Sequence, residues 1–270
     1  MLYRLDAVPR QSRFVKQLSS VLQRNNNNCR RVQKVAMSAT TTPPRFAFDP
    51  PPTSSVAISD DDERFPVHRI YCVGRNYADH VQEMGGDPNR SSPTFFTKPR
   101  DAVVPTGSKI PYGLNTSNLH YEVELVVAIG KSGVQIPVHQ ANEYVFGYGV
   151  GIDLTRRDLQ SHAKTTGGPW DAAKAFDESA PMGPIRKGSS LLSETSKIEL
   201  FLNGNLRQSG TLNQMIWSVP EIIEQLSKSF RLEPGDLIFT GTPSGVGPLA
   251  VGDQIKGTID GLEDIDIEIV

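Results

Sequence analysis

Two glutamates, Glu122 and Glu124, lie at the start of an apolar stretch of the sequence, HYEVELVVAIG, which covers residues 120–130. Side chains two positions apart in a β-strand project from the same face, so these two carboxylates are expected to lie side by side. Neighbouring buried carboxylates repel one another and need either a compensating positive charge or water. The pattern therefore indicates a place where a cation could be bound.

A third carboxylate, Asp153, ends the segment YVFGYGVGID, in which Gly147, Gly149 and Gly151 share its face of the predicted strand. Glycine within a strand is tolerated where something approaches the backbone closely, so this bare face could form the floor of a site. The same pattern is compatible with close packing against another strand, and Asp153 would then be an ordinary cap of the following helix.

Together the three acids offer hard anionic oxygen ligands without a nearby cysteine. Such a set suits Mg2+, with Mn2+ or Ca2+ as alternatives, rather than zinc. Mg2+ usually keeps several water-filled positions, which a substrate can then take. His120, just before the pair, is expected to be a strand-edge histidine. The alternative is that it contacts one of the metal ligands without binding the metal itself.

A second pair, His80 and Glu83, occurs in the segment NYADHVQEM. The i,i+3 spacing puts both side chains on one face of a helix. An imidazole oriented by a carboxylate can accept a proton from water and act as a general acid or base. The pair is therefore a candidate catalytic dyad, although the same spacing is common on exposed helices.

The glycine-rich segment GTPSGVG covers residues 241–247 and follows the apolar segment DLIFT. It lacks the Gly-Lys-Ser/Thr ending of a P-loop, which argues against nucleotide binding. Its backbone amides and the Thr242 hydroxyl could instead form a nest for a carboxylate.

The elements that must position these residues are mostly strands, because short β-branched and aromatic segments alternate with Gly and Pro. Strands are predicted in RIYCVG, TFFTK, YEVELVVAIG, YVFGYGVGID, KIELFLNG, DLIFTG and DIDIEIV. FLNGNLRQ predicts a hairpin about Asn203 and Gly204. Helices are predicted after Asn76, after Asp153 and over residues 218–230. Because the strands do not alternate regularly with long helices, we predict a β-rich α+β fold rather than a doubly wound sheet.

The N-terminal segment differs in charge from the remainder of the chain. Residues 1–34 contain eight basic residues and one acid, while the whole chain has a formal net charge of −2. An Arg-rich, acid-poor amphipathic start is typical of an organelle transit peptide, mitochondrial before plastid, and Met37 offers a second start for a cytosolic form. We predict that residues 1–45 are a disordered leader and linker and that residues 46–270 form a single catalytic domain.

The composition excludes several classes of function. The chain has 270 residues, of which 37% are hydrophobic and 21% charged, as in soluble globular proteins. No apolar run approaches the roughly 18 residues needed to cross a bilayer, and the acidic body has no basic stripe for nucleic acid. The two cysteines, Cys29 and Cys72, offer neither a disulfide framework nor a metal spacing, and Cys72 is predicted to be a buried core thiol.

From about Phe65 to the C-terminus the sequence resembles the fumarylacetoacetate hydrolase family, specifically its small acylpyruvase branch. The resemblance is carried by ordered motifs, namely GRNYADHVQEMG, FFTKP, LHYEVELVVAIG, GIDLTRRDLQ, GGPWDAAKAFDESAP, NGNLRQSG and DLIFTGTPSGVGP. It implies the mixed β-sandwich roll of the family's C-terminal domain and a homodimer.

The resemblance also implies roles for particular residues. The family's H-x-E-x-E motif and third metal ligand fall on His120, Glu122, Glu124 and Asp153. The catalytic residues fall on His80, Glu83 and Lys174. The resemblance further implies substrate contacts at Arg75, Lys98, Gln160 and Thr242.

The reaction that the resemblance implies is metal-dependent hydrolysis of the carbon–carbon bond of acylpyruvates, such as acetylpyruvate or fumarylpyruvate, to pyruvate and a carboxylic acid. The segment FDESAP resembles bacterial members that cleave fumarylpyruvate. Two alternatives stay open from the sequence. One is an oxaloacetate decarboxylase or keto–enol tautomerase that uses the same site, and the other is a non-catalytic divalent-metal-binding protein.

Overall fold

The computed structural model describes residues 45–87, 89, 92–190 and 192–270. The predicted leader therefore lies, except for Arg45, outside the described residues. The chain divides into two units, Met1–Pro51 and Pro52–Val270. The described part of the first unit, residues 45–51, has no helix or strand. All elements given below belong to the second unit, and among the described residues no helix is long and apolar enough to cross a bilayer.

Strands dominate the second unit, as predicted. They are β1 (Ser55–Ile58), β2 (Asp61–Pro66), β3 (Ile70–Gly74), β4 (Thr94–Lys98), β5 (Val103–Pro105), β6 (Lys109–Ile110), β7 (Leu119–Tyr121), β8 (Val123–Ile129), β9 (Val145–Ile152), β10 (Thr155–Arg156), β11 (Ala180–Met182), β12 (Arg186–Lys187), β13 (Lys197–Leu202), β14 (Asn205–Thr211), β15 (Leu237–Phe239), β16 (Gly247–Pro248), β17 (Gln254–Ile259) and β18 (Ile265–Ile269). The α-helices of the described residues are α1 (Ala78–Glu83), α2 (Arg157–Thr166), α3 (Asp171–Lys174) and α4 (Val219–Ser229).

Two sheets form the body of this unit. The larger sheet has the order β4-β3-β15-β8-β9-β11-β5, with β12 also paired to β9, and the smaller sheet has the order β14-β13-β17-β18-β6. Pairs β3/β15 and β5/β11 are parallel, whereas β8/β9 and β8/β15 are antiparallel. Leu125 and Val150 of the larger sheet share a buried core with Leu200 and Ile255 of the smaller one. This arrangement confirms the predicted β-rich α+β fold with a mixed sandwich.

The opposite face of the larger sheet carries a second buried cluster. Val126, Cys72 and Phe239 lie in it together with Val56 and Phe65 of the β1–β2 hairpin. Cys72 is fully buried, as predicted, and burial raises the pKa of its thiol. The hairpin thus closes the side of the sheet from which Glu124 also projects.

The three predicted helices are present as α1, α2 and α4. The predicted start residue Ser218 is the N-cap of helix α4, and its backbone N–H donates a hydrogen bond of 3.0 Å to Glu221 Oε2 in a capping box. The predicted hairpin is also present, and its turn residues Asn203 and Gly204 have φ values of 52° and 76°. The four-residue helix α3 was not among the predicted elements.

The glycines of β9 do not form the floor of a site, so that interpretation of the sequence was wrong. A Cβ at Gly147 would lie 2.2 Å from the backbone oxygen of Arg186, and one at Gly151 would lie 2.6 Å from the Phe239 ring. A Cβ at Gly149 would lie 3.1 Å from the backbone oxygen of Pro184, which is a looser but still tight contact. The glycine face is therefore packed against the residues just before β12 and against β15. Of the residues on this face of the segment, Asp153 lines the cavity described below and the three glycines do not.

We expect Gly147→Ala to lower the free energy of unfolding by about 1–3 kcal/mol, because the added methyl group would push the Arg186 backbone out of place. Chemical denaturation measures the change. Gly168→Ala is the control, since the nearest atom to its Cβ is the flexible Thr166 hydroxyl at 3.3 Å. Equal stabilities of the two variants would contradict this packing.

Candidate active site

One cavity of about 110 Å³ brings most of the predicted site residues together. Its lining includes eight of them, namely Arg75, His80, Glu122, Glu124, Asp153, Gln160, Lys174 and Thr242. The other two, Glu83 and Lys98, do not line the cavity, but each contacts a residue that does. The predicted site residues therefore lie at one cavity and are not scattered over the fold.

The three acids form a buried cluster at the inner end of this cavity. Glu122, Glu124 and Asp153 are 5%, 2% and 0% exposed, and one oxygen of each lies within 4.8 Å of the others. Antiparallel pairing of β8 with β9 places Glu124 opposite Gly151, two residues before Asp153. The Asp153 N–H also donates a hydrogen bond of 2.8 Å to the Glu122 carbonyl. Backbone pairing therefore fixes the spacing of the carboxylates.

Gln208, which sequence reasoning missed, supports the interruption between β7 and β8. Its Oε1 accepts a hydrogen bond of 3.0 Å from Val123 N–H, between the two glutamates. Its Nε2 donates hydrogen bonds of 2.8 Å to Thr242 Oγ1 and to the Pro243 carbonyl. This fully buried amide therefore links β14, the acidic strand and the 241–247 segment. The sequence offers only the motif NGNLRQSG as a signal for it.

We expect Gln208→Ala to reduce the free energy of unfolding by about 1–3 kcal/mol, because it leaves the Val123 N–H buried without a partner. Calorimetry or denaturant titration checks the size of this loss. Gln254→Ala is the matched control, since Gln254 is an exposed strand residue whose side chain makes no hydrogen bond within the described ranges. A Gln208 variant as stable as the control would rule out the proposed link.

Three cations surround the acidic cluster. Lys174 Nζ lies 2.8 Å from Glu122 Oε2 and 2.6 Å from Asp153 Oδ2. Arg157 Nη2 lies 2.5 Å from Glu122 Oε1, and Lys98 Nζ lies 2.8 Å from Asp153 Oδ1. Arg157 belongs to the motif GIDLTRRDLQ, but nothing in the residue spacing distinguished it from its neighbour Arg156.

These cations affect the pKa values of the acids unequally. Burial tends to raise the pKa of Glu122, but the charges of Lys174 and Arg157 outweigh it and hold that pKa below its usual value. Burial lowers the pKa of Lys174, and the charges of Asp153 and Glu122 more than reverse this effect. Burial, followed by the charges of Asp153 and Glu122, raises the pKa of Glu124 well above its usual range. Glu124 is therefore the acid that lacks positive charge.

The cluster fits a divalent cation by two observations. Its ligand atoms are three carboxylate oxygens, the type that Mg2+, Mn2+ and Ca2+ prefer. In addition, no side-chain cation of the described residues forms an ion pair with Glu124, whose Oε2 accepts a hydrogen bond from the Gly241 N–H. The acids could thus hold a metal ion.

His80 and Glu83 form the predicted pair on α1, with 3.1 Å between His80 Nδ1 and Glu83 Oε2. Gly245 N–H donates a hydrogen bond of 3.1 Å to Glu83 Oε1. Before the helix, the buried Asn76 side chain donates hydrogen bonds to the Thr240 and Trp217 carbonyls. The helix that carries His80 is consequently fixed at both ends.

The segment 241–247 does form carboxylate contacts, but to acids of the chain itself. Gly241 N–H donates a hydrogen bond of 2.7 Å to Glu124 Oε2, and Gly245 N–H binds Glu83. The Thr242 hydroxyl donates to the Val123 carbonyl over 2.7 Å and accepts from Gln208. Thr242 lines the cavity, but its hydroxyl proton is already used within the fold.

The predicted substrate contacts Gln160, Arg75 and Lys98 differ in how much of each side chain is still available to a ligand. Gln160 Oε1 accepts a hydrogen bond of 2.7 Å from Arg157, and no bond to the Gln160 amide nitrogen occurs among the described residues. Arg75 is exposed at the cavity. The Lys98 ammonium is buried and contacts Asp153 and the Leu154 and Lys174 carbonyls. This placement argues against the predicted direct contact of Lys98 with substrate.

His120 is not the strand-edge histidine that the sequence suggested. Its strand β7 lies between β10 and β16, and Arg157 Nε donates a hydrogen bond of 3.4 Å to His120 Nδ1. Burial and the Arg157 charge lower the pKa of His120 to about 4. The neutral ring therefore supports the arginine that binds Glu122.

A family model described as fumarylacetoacetate (FAA) hydrolase C-terminal matches residues 69–270. The chain belongs to the fumarylacetoacetate hydrolase family. All the residues that line the cavity fall within the matched range.

Two of the relatives have names that give different activities. Fumarylpyruvate hydrolase from Ralstonia sp is 43% identical over 175 residues, which is 65% of this chain and 91% of that protein. Mitochondrial oxaloacetate tautomerase FAHD1 from Mus musculus is 46% identical over 194 residues, which is 72% of this chain and 87% of that protein. The crystal structure of fumarylpyruvate hydrolase from Pseudomonas aeruginosa in complex with Mn2+ and pyruvate has a TM-score of 0.81 at 49% identity, covering 84% of this chain and 99% of that one.

Proposed function

We propose that this family member is a metal-dependent hydrolase that cleaves the carbon–carbon bond of acylpyruvates to give pyruvate and a carboxylic acid. The observation that carries the proposal is the meeting of the three buried carboxylates and the His80–Glu83 pair at one cavity. A fumarylpyruvate hydrolase with Mn2+ and pyruvate bound is among the most similar solved structures, which supports a keto-acid substrate.

Glu122, Glu124 and Asp153 would hold the metal, for which we propose Mg2+. When bound, such an ion supplies Lewis-acid stabilisation of negative charge on oxygen. The chain's own cations complement this. The Lys174 ammonium lies within 2.8 Å of two of the acids and lines the cavity, so we assign it the stabilisation of charge that develops on the substrate.

The proton-transfer step is assigned to His80. Its Nδ1 is held by Glu83, so Nε2 is the nitrogen available to take a proton from water. The hydroxide so formed adds to the C4 carbonyl of the acylpyruvate. The C3–C4 bond then breaks, C4 leaves as the carboxylic acid, and its bonding electrons pass into the C2 carbonyl as an enolate. Protonation of C3 completes pyruvate, so one water is consumed.

Conversion of oxaloacetate is the second candidate, because a relative named oxaloacetate tautomerase is as similar to this chain as the fumarylpyruvate hydrolases are. The cavity volume also favours a small substrate. A cavity of about 110 Å³ accommodates a short oxo acid more readily than a long acyl chain. Keto–enol exchange or decarboxylation would use the same residues without an attacking water.

A substrate panel separates the candidates. Purified protein with Mg2+ is assayed with acetylpyruvate, fumarylpyruvate and oxaloacetate, and pyruvate, CO2 and enol content are followed separately. Pyruvate release from the acylpyruvates at a higher kcat/KM than any oxaloacetate reaction supports hydrolysis. The reverse order supports the second candidate. Metal-dependent thermal stability without turnover of any of the three would support a non-catalytic metal-binding protein instead.

We further propose a mitochondrial location and a homodimer. The location rests on the basic, acid-poor segment 1–34 and on relatives whose names include mitochondrial. Import of the full chain into isolated mitochondria, compared with a chain that begins at Met37, tests the first proposal. Light scattering of the purified protein tests the second, and a monomer mass would contradict it.

A further inference from the structure

Two cations at the cavity have no carboxylate partner among the residues that the structure describes. Lys164 and Arg75 both line it, yet neither makes an ion pair or a hydrogen bond with any residue that the structure describes. The inner cations differ, since Lys174, Arg157 and Lys98 each contact a carboxylate of the acidic cluster. The positive charge that remains available to an incoming anion is therefore on Lys164 and Arg75.

Helix α2 carries Lys164 on its cavity side. Arg157, Gln160 and Lys164 follow one another at i, i+3 and i+7, and all three line the cavity. Lys164 lies in the last turn, and its Nζ is 5.6 Å from the centre of the Trp170 ring, which also lines the cavity. Partial burial, followed by the charges of Arg157 and Arg75, lowers the pKa of Lys164. Lys164, Arg157 and Arg75 therefore lie close enough at this cavity for their charges to interact.

The backbone at Arg75 is strained in a way that often marks functional positions. Its φ is 63°, a left-handed conformation that costs a non-glycine residue about 1–2 kcal/mol. This conformation ends β3 and leaves the guanidinium exposed at the cavity. No hydrogen bond of the side chain within the described ranges accounts for it.

The charge balance of the cavity favours a dianion. The three inner cations compensate the three carboxylates, so a bound divalent ion leaves the inner site with an excess positive charge. Lys164 and Arg75 add two further unpaired charges at the same cavity. A monoanionic ligand would leave most of this charge uncompensated, whereas a second carboxylate could bind the two free cations through charge-assisted hydrogen bonds.

We infer that Lys164, together with Arg75, binds the remote carboxylate of a dicarboxylic oxo acid, so that this chain prefers dianionic substrates to acylpyruvates with an uncharged acyl group. This inference rests on the proposed function for its reactive end and goes beyond it for the other end. Lys164 is then a residue that determines specificity.

The kinetic test compares Lys164→Gln and Lys164→Arg with the wild type on fumarylpyruvate and acetylpyruvate. We expect Lys164→Gln to lower kcat/KM for the dianionic fumarylpyruvate about 10-fold, mainly through KM, because a charge-assisted hydrogen bond is lost. Its effect on acetylpyruvate should stay within about twofold, and Lys164→Arg should restore most of the loss. Lys197→Gln, which removes an exposed lysine of β13 that does not line the cavity, is the control.

A binding measurement keeps the inference testable even if the chain hydrolyses neither acylpyruvate. Tryptophan fluorescence of the Mg2+-loaded protein is titrated with succinate and with butyrate, since Trp170 lies beside Lys164. Tighter binding of succinate that is lost in Lys164→Gln but kept in Lys197→Gln supports the inference. Equal binding of the two acids, or equal kinetic losses on both acylpyruvates, would overturn it. Failure of the proposed function shows separately, as absence of wild-type turnover.

Discussion

Replacing His80 by alanine is expected to lower kcat for acylpyruvate hydrolysis by about 10²–10⁴-fold, the usual contribution of a positioned general base. The reason is local. His80 lines the cavity, and its ring is oriented by Glu83, which Gly245 holds in turn. Without the imidazole, no other histidine of the described residues lines the cavity and could take the proton from water. Steady-state kinetics with saturating Mg2+ measure the effect.

The control for this experiment is His139→Ala, since His139 is exposed and does not line the cavity. The His80 variant should keep its affinity for Mg2+, because the three acids and their cations are unchanged. Hydrolysis at the wild-type rate would remove His80 from the mechanism. A parallel loss of metal affinity would point instead to a disturbed acidic cluster.

Replacing Lys174 by methionine is expected to lower the free energy of unfolding by about 3–5 kcal/mol in metal-free buffer, because it leaves buried carboxylates without their counter-charge. The Lys174 side chain is 2% exposed and contacts Glu122, Asp153 and the Thr155 hydroxyl. A divalent cation held by the same acids would supply part of the missing charge. The variant should therefore be stabilised by Mg2+ more strongly than the wild type is, as binding to the folded state requires.

Thermal unfolding with EDTA and with increasing Mg2+ measures both effects. Lys131→Met serves as control, because its exposed ion pair with Glu143 contributes little to stability. A Lys174 variant that is as stable as the control would show that the acids are not charged as described. A variant that Mg2+ does not stabilise would argue against a metal held by these three acids.

Local periodicity predicted the parts of the site that lie close together in sequence. The two-residue spacing placed Glu122 and Glu124 on one face, and the i,i+3 spacing placed His80 beside Glu83. The pairing of β8 with β9 then brings Asp153 to the same place. The residue types had suggested the three acids as one set of ligands, but the sequence did not show which strands pair. Strand register is a long-range property, and spacing alone does not determine it.

The residues that sequence reasoning missed act over long separations. Gln208 binds the Val123 backbone 85 positions away, and Arg157 binds Glu122 35 positions away. Neither has a local pattern that distinguishes it from other polar residues. The β9 glycines were misinterpreted for a related reason, because a bare strand face is the same in sequence whether a ligand or another strand covers it.

The segment 241–247 contacts both the acidic cluster and the His80–Glu83 pair, since the Gly241 N–H binds Glu124 and the Gly245 N–H binds Glu83. Gly241 and Gly245 have φ values of 98° and 101°, so alanine at either position would shift the whole turn. Cation affinity and proton transfer should then decline in step. Substitutions in this turn would therefore change cation affinity and proton transfer together and could not alter one of them alone.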